Sequence, residues 1–359
     1  MPKLLTIIIP EHNEGDFVNG TLDSLFATSD RSLYDVIVVS DGSTVPLNIE
    51  KYHVSHYKNT MREGVGASFD IGALMAETPY LVLMGCDVRF RNNDYIPKMI
   101  EILGRPENEN AIISVGNIGM SEKNMDVNNP KNNIRYGAEI LFFMTYKDLP
   151  KKGVRMRAMI RDDVRVDNFR NIIEAKWLIK PKSNIESIPC VLGAFYGIHK
   201  AWYDKIHGWR GHRFWGTLEP FISLKSWLCG GSCKITTDIS VGHIFTRISK
   251  KPHVTRDWDL LYNKVFLINL LFDPETVDLF MEFLGKKHPV VNKNILIAEK
   301  ILQEHKDVLQ IEKDYLSLIL KHDLHWFNKQ FPFKYYNEFL GTEKMTLKHY
   351  FDETDWRNE

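Results

Sequence analysis

Residues 80–89 read YLVLMGCDVR, in which an apolar run ends at a glycine and a lone carboxylate, Asp87, follows. Such a run, bounded by small residues, is typical of a strand buried on both faces of a parallel sheet. In open α/β sheets, ligands bind at the carboxyl ends of these strands, so we expect Asp87 at a ligand-binding edge. The alternative interpretation is a turn carboxylate that caps the next helix, and this stretch alone does not decide between the two.

Strand and helix patterns alternate on both sides of this stretch. Apolar or β-branched runs predict strands at 4–10, 34–39, 52–57 and 111–115, and helical apolar spacing predicts helices at 16–28, 64–77 and 95–103. This alternation predicts an α/β fold with a doubly wound, mostly parallel sheet. After about Trp258 the pattern becomes helical. We therefore expect a catalytic domain at residues 1–257 and a helical extension at residues 258–359, packed on it because its many aromatic side chains need a surface to bury against.

The composition excludes several classes of protein. The 359 residues contain 46 Lys+Arg and 46 Asp+Glu, a balance that argues against binding nucleic acid through bulk charge. Four cysteines are too few for a disulfide scaffold in a chain of this length. The N-terminal apolar run is too short for a signal peptide, and no stretch approaches a membrane span. We therefore expect a soluble, cytoplasmic protein, in the host cytoplasm if the source is viral.

Two polar segments interrupt the α/β pattern. Residues 124–133 are rich in asparagine and predict a loop. Residues 151–170 interleave arginine and lysine with acids, which predicts a solvated helical face; an acceptor-binding patch is the second interpretation.

Seven short motifs occur in a characteristic order within residues 4–270: His12-Asn13-Glu14, Ser40-Asp41-Gly42-Ser43, Arg62-Glu63-Gly64, Gly85-Cys86-Asp87, Gly193-Ala194-Phe195, Trp215-Gly216 and Val241-Gly242-His243-Ile244-Phe245. In this order they resemble the nucleotide-sugar glycosyltransferases with the GT-A fold, a family-2-like group, and most closely the polypeptide N-acetylgalactosaminyltransferases. Each motif alone is weak, whereas the shared order and spacing make the set specific. The resemblance implies a Rossmann-like GT-A fold and transfer of a sugar, from a UDP-sugar, to an acceptor hydroxyl.

The resemblance also implies a divalent cation on the donor diphosphate, Mn²⁺ or Mg²⁺, held by Asp87 and His243. Carboxylate and phosphate oxygens suit these ions, and imidazole suits Mn²⁺ well enough. Gly85 stands where the family has the first aspartate of its DxD motif, so we expect weak binding of the metal. Asp41 and Arg62 match positions that contact the base, and the other implied nucleotide-binding residues are Pro10, His12, Glu14, Gly64 and Cys86.

The implied sugar and acceptor positions are Gly193, Ala194, Trp215, Gly216 and Glu219. Glu219 and Asp87 are the candidate catalytic residues. Glu219 lies where many inverting relatives have a general base and retaining relatives have asparagine, so the stereochemical outcome stays open; the alternative is that Glu219 only binds sugar hydroxyls. Four further residues follow His243, where the family has a loop over the diphosphate, and their alternative is an ordinary basic loop: Arg247, Lys250, Lys251 and His253.

The acceptor cannot be read from the sequence, and a polypeptide, a glycan and a modified DNA base all remain open. One alternative is a viral-type DNA glycosyltransferase that acts on a hydroxymethylated base, which only residues 151–170 favour. Another is an inactive relative that binds nucleotide sugars, which Gly85 favours. A nucleotidyltransferase is disfavoured because the first strand is not followed by a glycine-rich, basic loop.

Overall fold

The computed structural model describes residues 2–143, 160–161, 164–165, 172–178, 181, 183–246, 256–284 and 289–341. The chain divides into two compact units, Met1–Glu139 with Ala175–Arg256, and Ile140–Glu174 with Asp257–Glu359. Residues 140–174 group with the C-terminal helices in the second unit, and the division into a catalytic domain and a helical extension after residue 257 stays a prediction. No helix within the described ranges is long and apolar enough to cross a membrane.

Strands and helices alternate along the first part of the chain, as the sequence predicts. The described strands are β1 (Leu5–Glu11), β2 (Tyr34–Asp41), β3 (Ser55–Asn59), β4 (Tyr80–Met84), β5 (Val88–Arg89), β6 (Ala111–Ser121), β7 (Ile134–Phe143), β8 (Ile160–Arg161), β9 (Val164–Arg165), β10 (Ile172–Leu178), β11 (Ile185–Ser187), β12 (Phe195–His199) and β13 (Ser232–Thr246). The described helices are α1 (Gly15–Ala27), α2 (Val65–Met75), α3 (Tyr95–Leu103), α4 (Lys200–Lys205), α5 (Leu218–Leu228), α6 (Asp257–Leu271), α7 (Pro274–Phe283), α8 (Pro289–Glu304), α9 (Lys306–Ile319), α10 (Leu324–Gln330) and α11 (Tyr336–Phe339).

The central sheet is mixed and mostly parallel. Its strands follow the order β7-β6-β12-β4-β1-β2-β3, and the first four strands of the chain run parallel to one another. Strand β12 is antiparallel to both β4 and β6, whereas β13 is parallel to β6. The carboxyl ends of β1 to β4 and of β6 and β13 therefore lie at one edge, together with the start of β12. This is the edge at which ligands bind in such sheets.

Helices cover both faces of the sheet, which confirms the doubly wound arrangement. All seven residues of β1 are buried, as a strand covered on both faces requires. Ile7 and Ile9 belong to one core cluster with Leu22 of α1 and Met99 of α3. On the opposite face, a Cβ at Gly72 of α2 would lie 2.2 Å from the side chain of Ile8, so α2 packs closely against β1 there.

Three local predictions need correction. The third strand begins at Ser55, because Glu50–Tyr52 forms a 3₁₀ turn. Strand β6 continues past Val115 to Ser121, since its second half pairs in parallel with β13 beyond a register shift. A helical face at residues 151–170 is wrong where the structure describes that segment, because β8 and β9 pair antiparallel there. Residues 124–133 lie between β6 and β7 and form the expected loop.

The second unit has the helical character that the sequence predicts after Trp258. Helix α7 begins after Asp273, whose carboxylate accepts from the N–H of Thr276 at 2.9 Å, and Pro274 is its first residue. Aromatic side chains of this unit stack on one another; the rings of Phe143 and Phe280, for example, are 4.9 Å apart. In α6 the ammonium of Lys264, 2% exposed, donates to Glu174 Oε1 at 2.6 Å.

Candidate active site

The loops after β1 and β2 are hydrogen-bonded to each other at the ligand-binding edge. His12 Nδ1 lies 2.6 Å from the carbonyl oxygen of Asp41. Asn13, in the left-handed region with φ 55°, accepts at Oδ1 from the N–H groups of Thr44 and Val45 at 2.8 and 3.0 Å. The motif after β1 therefore fixes the turn after β2.

The carboxylate of Asp41 holds the next loop of the site. It is 4% exposed and accepts from the backbone N–H of Glu63 at 2.7 Å and of Gly64 at 2.8 Å. Asn59 also donates to it at 3.3 Å. Asp41 thus lies at the expected place, but its charge is largely used to orient residues 62–64.

Arg62 and Gly64 meet the loop between α4 and α5. The guanidinium of Arg62 lies 5.4 Å from the ring centroid of Phe214, within cation–π range. Gly64 has φ 111° and forms a parallel bridge with Phe214, and a Cβ at Gly64 would lie 2.2 Å from the Phe214 nitrogen. Only glycine fits this backbone crossing without strain.

The motif after β4 is tied to two other loops. Cys86, a buried thiol, donates to Glu14 Oε2 at 2.7 Å, which joins it to the loop after β1. Gly85 donates its N–H to the carbonyl oxygen of Ala194 at 2.9 Å. Pro10 is buried at the end of β1. Four of the implied nucleotide-binding residues, Pro10, His12, Glu14 and Cys86, therefore lie at one edge of the sheet.

Asp87 and His243, far apart in sequence, meet in the fold. Strands β5 and β13 pair antiparallel with Val88 opposite His243, and Ile244 donates its N–H to the carbonyl oxygen of Asp87 at 3.2 Å. His243 Nε2 consequently lies 3.3 Å from Asp87 Oδ1, and that carboxylate side chain is 8% exposed. The other ring nitrogen, Nδ1, is buried without a hydrogen-bond partner.

This donor set fits a divalent cation that is also bound by phosphate oxygens. One hard carboxylate and one imidazole are ligands that Mn²⁺ accepts, and metals of this type keep several water or phosphate ligands. No cluster of three or more His, Cys, Asp or Glu side chains suited to a metal occurs among the residues that the structure describes. Within the described residues, Asp87 and His243 are therefore the two side chains that could bind the cation.

A buried asparagine in β6 holds the loop before β12, which contains the implied sugar-binding residues Gly193 and Ala194. Asn117 accepts at Oδ1 from the N–H of Ala194 at 3.1 Å and donates from Nδ2 to the carbonyl oxygen of Leu192 at 3.3 Å. Gly193 has φ 133°, and a Cβ there would lie 2.1 Å from Asn117 Nδ2. We did not predict Asn117 from the sequence, although a lone amide inside the apolar run 111–120 was a usable signal.

Glu219 lies in the first turn of α5 and is linked to the same loop. The hydroxyl of Tyr196 donates to Glu219 Oε1 at 3.1 Å and also to the carbonyl oxygen of Gly193. Burial, with the Glu219 charge as a further cause, raises the pKa of Tyr196 well above its usual value. Tyr196 therefore remains a donor at neutral pH, and its contact with Glu219 was not predicted from the sequence.

The loop before α5 carries the Trp215-Gly216 motif. Trp215 is 44% exposed, and Gly216 has φ 101°. The Gly216 carbonyl oxygen lies 2.8 Å from Nε2 of buried His212, and burial lowers the pKa of His212 to about 4. A neutral histidine thus holds this turn. The implied diphosphate residues Arg247, Lys250, Lys251 and His253 lie outside the described residues.

Known proteins share this sequence pattern and fold. Residues 6–166 match the model of Glycosyl transferase family 2. The chain is 26% identical over 255 residues to polypeptide N-acetylgalactosaminyltransferase 4 of Caenorhabditis elegans, covering 69% of this chain and 39% of the relative. It is 23% identical over 251 residues to human polypeptide N-acetylgalactosaminyltransferase 16, covering 67% and 40%. The chain thus spans about two fifths of the length of these relatives.

A solved structure, that of GalNAc-T7 with UDP, GalNAc and Mn²⁺, has a TM-score of 0.58 and 18% identity to this chain, covering 91% of this chain and 57% of that one. The likeness confirms the α/β GT-A fold that the sequence predicts.

Proposed function

Because residues 6–166 form a glycosyl transferase family 2 domain homologous to the polypeptide N-acetylgalactosaminyltransferases, we propose that this chain transfers a sugar from a UDP-sugar to an acceptor hydroxyl. The observation that carries the proposal is the meeting of Asp87 and His243, 3.3 Å apart at the carboxyl edge of the sheet. Residues so distant in sequence, brought together at the edge where α/β proteins bind ligands, are expected of a binding site.

The donor nucleotide binds on the loops after β1 to β3. Arg62 offers guanidinium donors to a base carbonyl, and the remaining acceptor capacity of Asp41 is available to an imide N–H. The hydrogen bonds from Glu63 and Gly64 to Asp41 keep these loops in place before the donor arrives. The relatives' names make UDP-N-acetylgalactosamine the first donor to test.

Asp87 and His243 would hold the divalent cation on the donor diphosphate. When bound, the cation neutralises charge that develops on the leaving diphosphate. Gly85 adds no side-chain ligand, so the described residues supply two ligands, and metal affinity without nucleotide is expected to be weak.

Glu219 is the candidate general base for the acceptor hydroxyl. Its carboxylate accepts from the Tyr196 hydroxyl, which orients it, and it lies in the first turn of α5. The alternative, a group that only binds hydroxyls, predicts that Glu219→Gln changes KM more than kcat. If Glu219 is a general base, Glu219→Gln should instead lower kcat more than it changes KM, and the pH dependence of kcat should be lost.

The acceptor class remains open in this proposal. The relatives' names make a polypeptide the first acceptor to try. A glycan and a hydroxymethylated DNA base follow; residues 151–170, the support for DNA, lie largely outside the described residues. A catalytically inactive relative is the second candidate function, because Gly85 removes the first carboxylate of the motif.

The test is release of UDP from a panel of UDP-sugars with Mn²⁺, alongside UDP binding by calorimetry. We expect sugar-dependent release by the wild type, reduced on the order of 100-fold in Asp87→Ala and in His243→Ala. His56→Ala, an exposed histidine on β3, is the matched control and should retain activity. Binding without release identifies the inactive relative, and absence of UDP binding refutes the proposal.

A further inference from the structure

A polar pocket adjoins His243 on the same strand. It has a volume of about 240 Å³ and is lined by residues that include Gly119, Asn124, Lys131, Asn133, Arg135 and Phe245. The ring of Phe245 lies 4.2 Å from the ring of His243, centroid to centroid. The Phe245 side chain therefore connects the pocket to His243, the proposed metal ligand.

The wall of the pocket is the asparagine-rich loop between β6 and β7, which the proposed function does not use. Hydrogen bonds between residues close in sequence stabilise the conformation of this loop. Asn129 Oδ1 accepts from the N–H of Lys131 at 3.0 Å, and Asn132 Nδ2 donates to the carbonyl oxygen of Asp126 at 2.9 Å. The carbonyl oxygen of Asn133 accepts from the N–H of Gly119 at 2.8 Å, which fastens the loop to β6. Lys131 is thus presented by an ordered turn.

Arg135 is held at the pocket by aromatic rings. Its guanidinium carbon lies 4.8 Å from the centroid of Phe245 and 5.8 Å from that of Trp177, both within cation–π range. The two rings are themselves in edge-on contact at 5.8 Å. A cation–π contact uses no hydrogen-bond acceptor atom, so the N–H donors of the guanidinium remain available to a ligand, and their fork matches the geometry of carboxylates and phosphates.

Neither cation of the pocket is neutralised within the described part of the chain. Lys131 and Arg135 form no ion pair and no side-chain hydrogen bond there. Asp126, an acid of the same loop, uses its carboxylate to accept from the N–H of Asn128 at 2.9 Å. Two unpaired cations that face one polar pocket create a positive potential that favours an anion.

We propose that this pocket binds an anionic group, a carboxylate or a phosphate, carried by the acceptor next to the hydroxyl that receives the sugar. The inference rests on the proposed function, because it places the acceptor beside the donor site. The pocket volume suits a single charged moiety and the start of its carrier; whole drug-sized ligands occupy roughly 300 Å³ or more. Amide groups of Asn124 and Asn133 are available for neighbouring hydroxyls.

The test measures binding of three small probes to the full chain with UDP and Mg²⁺ present, by saturation-transfer NMR. Methyl β-glucuronide carries a carboxylate, glucose 6-phosphate a phosphate, and methyl β-glucoside no charge. We expect at least one anionic probe to bind about tenfold more tightly than the glucoside, the effect of a charge-assisted hydrogen bond. Which of the two binds better distinguishes a carboxylate-bearing from a phosphate-bearing acceptor.

Substitutions in the pocket test whether the anionic probe binds there. Lys131→Ala and Arg135→Ala should each weaken the anionic probe about tenfold while the affinity for UDP stays unchanged. Lys123→Ala, an exposed lysine on the same loop that does not line the pocket, is the matched control. Equal binding of charged and neutral probes, no effect of either substitution, or displacement of the probe by excess UDP would each overturn the inference. Failure of the wild type to bind UDP would instead refute the proposed function.

Discussion

Replacement of Asp41 by alanine should reduce stability as well as nucleotide binding. The buried carboxylate accepts from the backbone N–H groups of Glu63 and Gly64 at 2.7 and 2.8 Å, and the substitution leaves both donors without it. Hydrogen bonds to charged groups contribute about 1.5 kcal/mol each at the low end, so the free energy of unfolding should fall by about 3 kcal/mol. In a domain of this size, that corresponds to a melting temperature about 6–12 °C lower.

Arg62→Ala is the matched comparison, because its side chain belongs to the same loop and is only partly buried. The cation–π interaction of Arg62 with Phe214 contributes about 0.5–1 kcal/mol, less than the two charged hydrogen bonds of Asp41, so the melting temperature of Arg62→Ala should fall less. Thermal unfolding by circular dichroism gives the stability of both variants, and calorimetry with UDP, at a temperature where both are folded, gives the affinity. We expect weaker UDP binding in both variants and a large loss of stability only in Asp41→Ala. Equal stability of the two variants would refute the structural role of Asp41.

Three further outcomes are expected. Because the pKa of His212 lies at about 4 in the folded state and near 6.5 when unfolded, the unfolded chain takes up the proton first. Stability should therefore fall as pH drops from 6.5 to 4, by about 2 kcal/mol at pH 5, and urea titrations of His212→Gln should lack this component. Gly85→Asp should strengthen Mn²⁺ binding with UDP about tenfold relative to Gly85→Asn, measured by electron paramagnetic resonance, although its Cβ lies only 3.1 Å from Asp87 Oδ1. Glu174→Gln should cost about 3 kcal/mol, because it leaves the Lys264 charge buried, and Lys264→Met should cost less in the same urea assay.

The sequence predicted the parts of the fold that depend on local pattern. The strand at 80–84 is a short continuous apolar run and the helix at 95–103 has apolar residues at helical spacing, so both could be predicted from their own residues. The strand order was not readable, because the antiparallel insertion of β12 between β4 and β6 depends on pairing between distant segments. The grouping of residues 140–174 with the C-terminal helices likewise depends on packing between segments that are distant in sequence.

The motifs named the candidate site residues, whereas the hydrogen-bond partners of these residues came only from the structure. Asp41 was predicted to meet a nucleotide base, and the fold shows its carboxylate bound to backbone N–H groups of a loop more than 20 residues away. Asn117 and Tyr196 each hold a motif residue in place, and neither belongs to a motif. Such positioning contacts depend on which strands become neighbours in the sheet, and the pattern of a single sequence does not contain this information.

The conformation of the loop from His207 to Thr217, which contains the Trp215-Gly216 motif, depends on contacts with the rest of the fold. Non-glycine residues in the left-handed region are strained, and His207, Phe214 and Thr217 have φ of 53°, 50° and 61°. The loop is fixed on both sides: Trp209 donates its N–H to Asp70 Oδ1 at 3.0 Å, and its ring N–H to the carbonyl oxygen of Leu218 at 2.8 Å. Contacts of this strength maintain a conformation that the loop alone would leave. Glu219 lies in the first turn of the helix that follows. The strained loop conformation therefore fixes the candidate base relative to the exposed Trp215 ring.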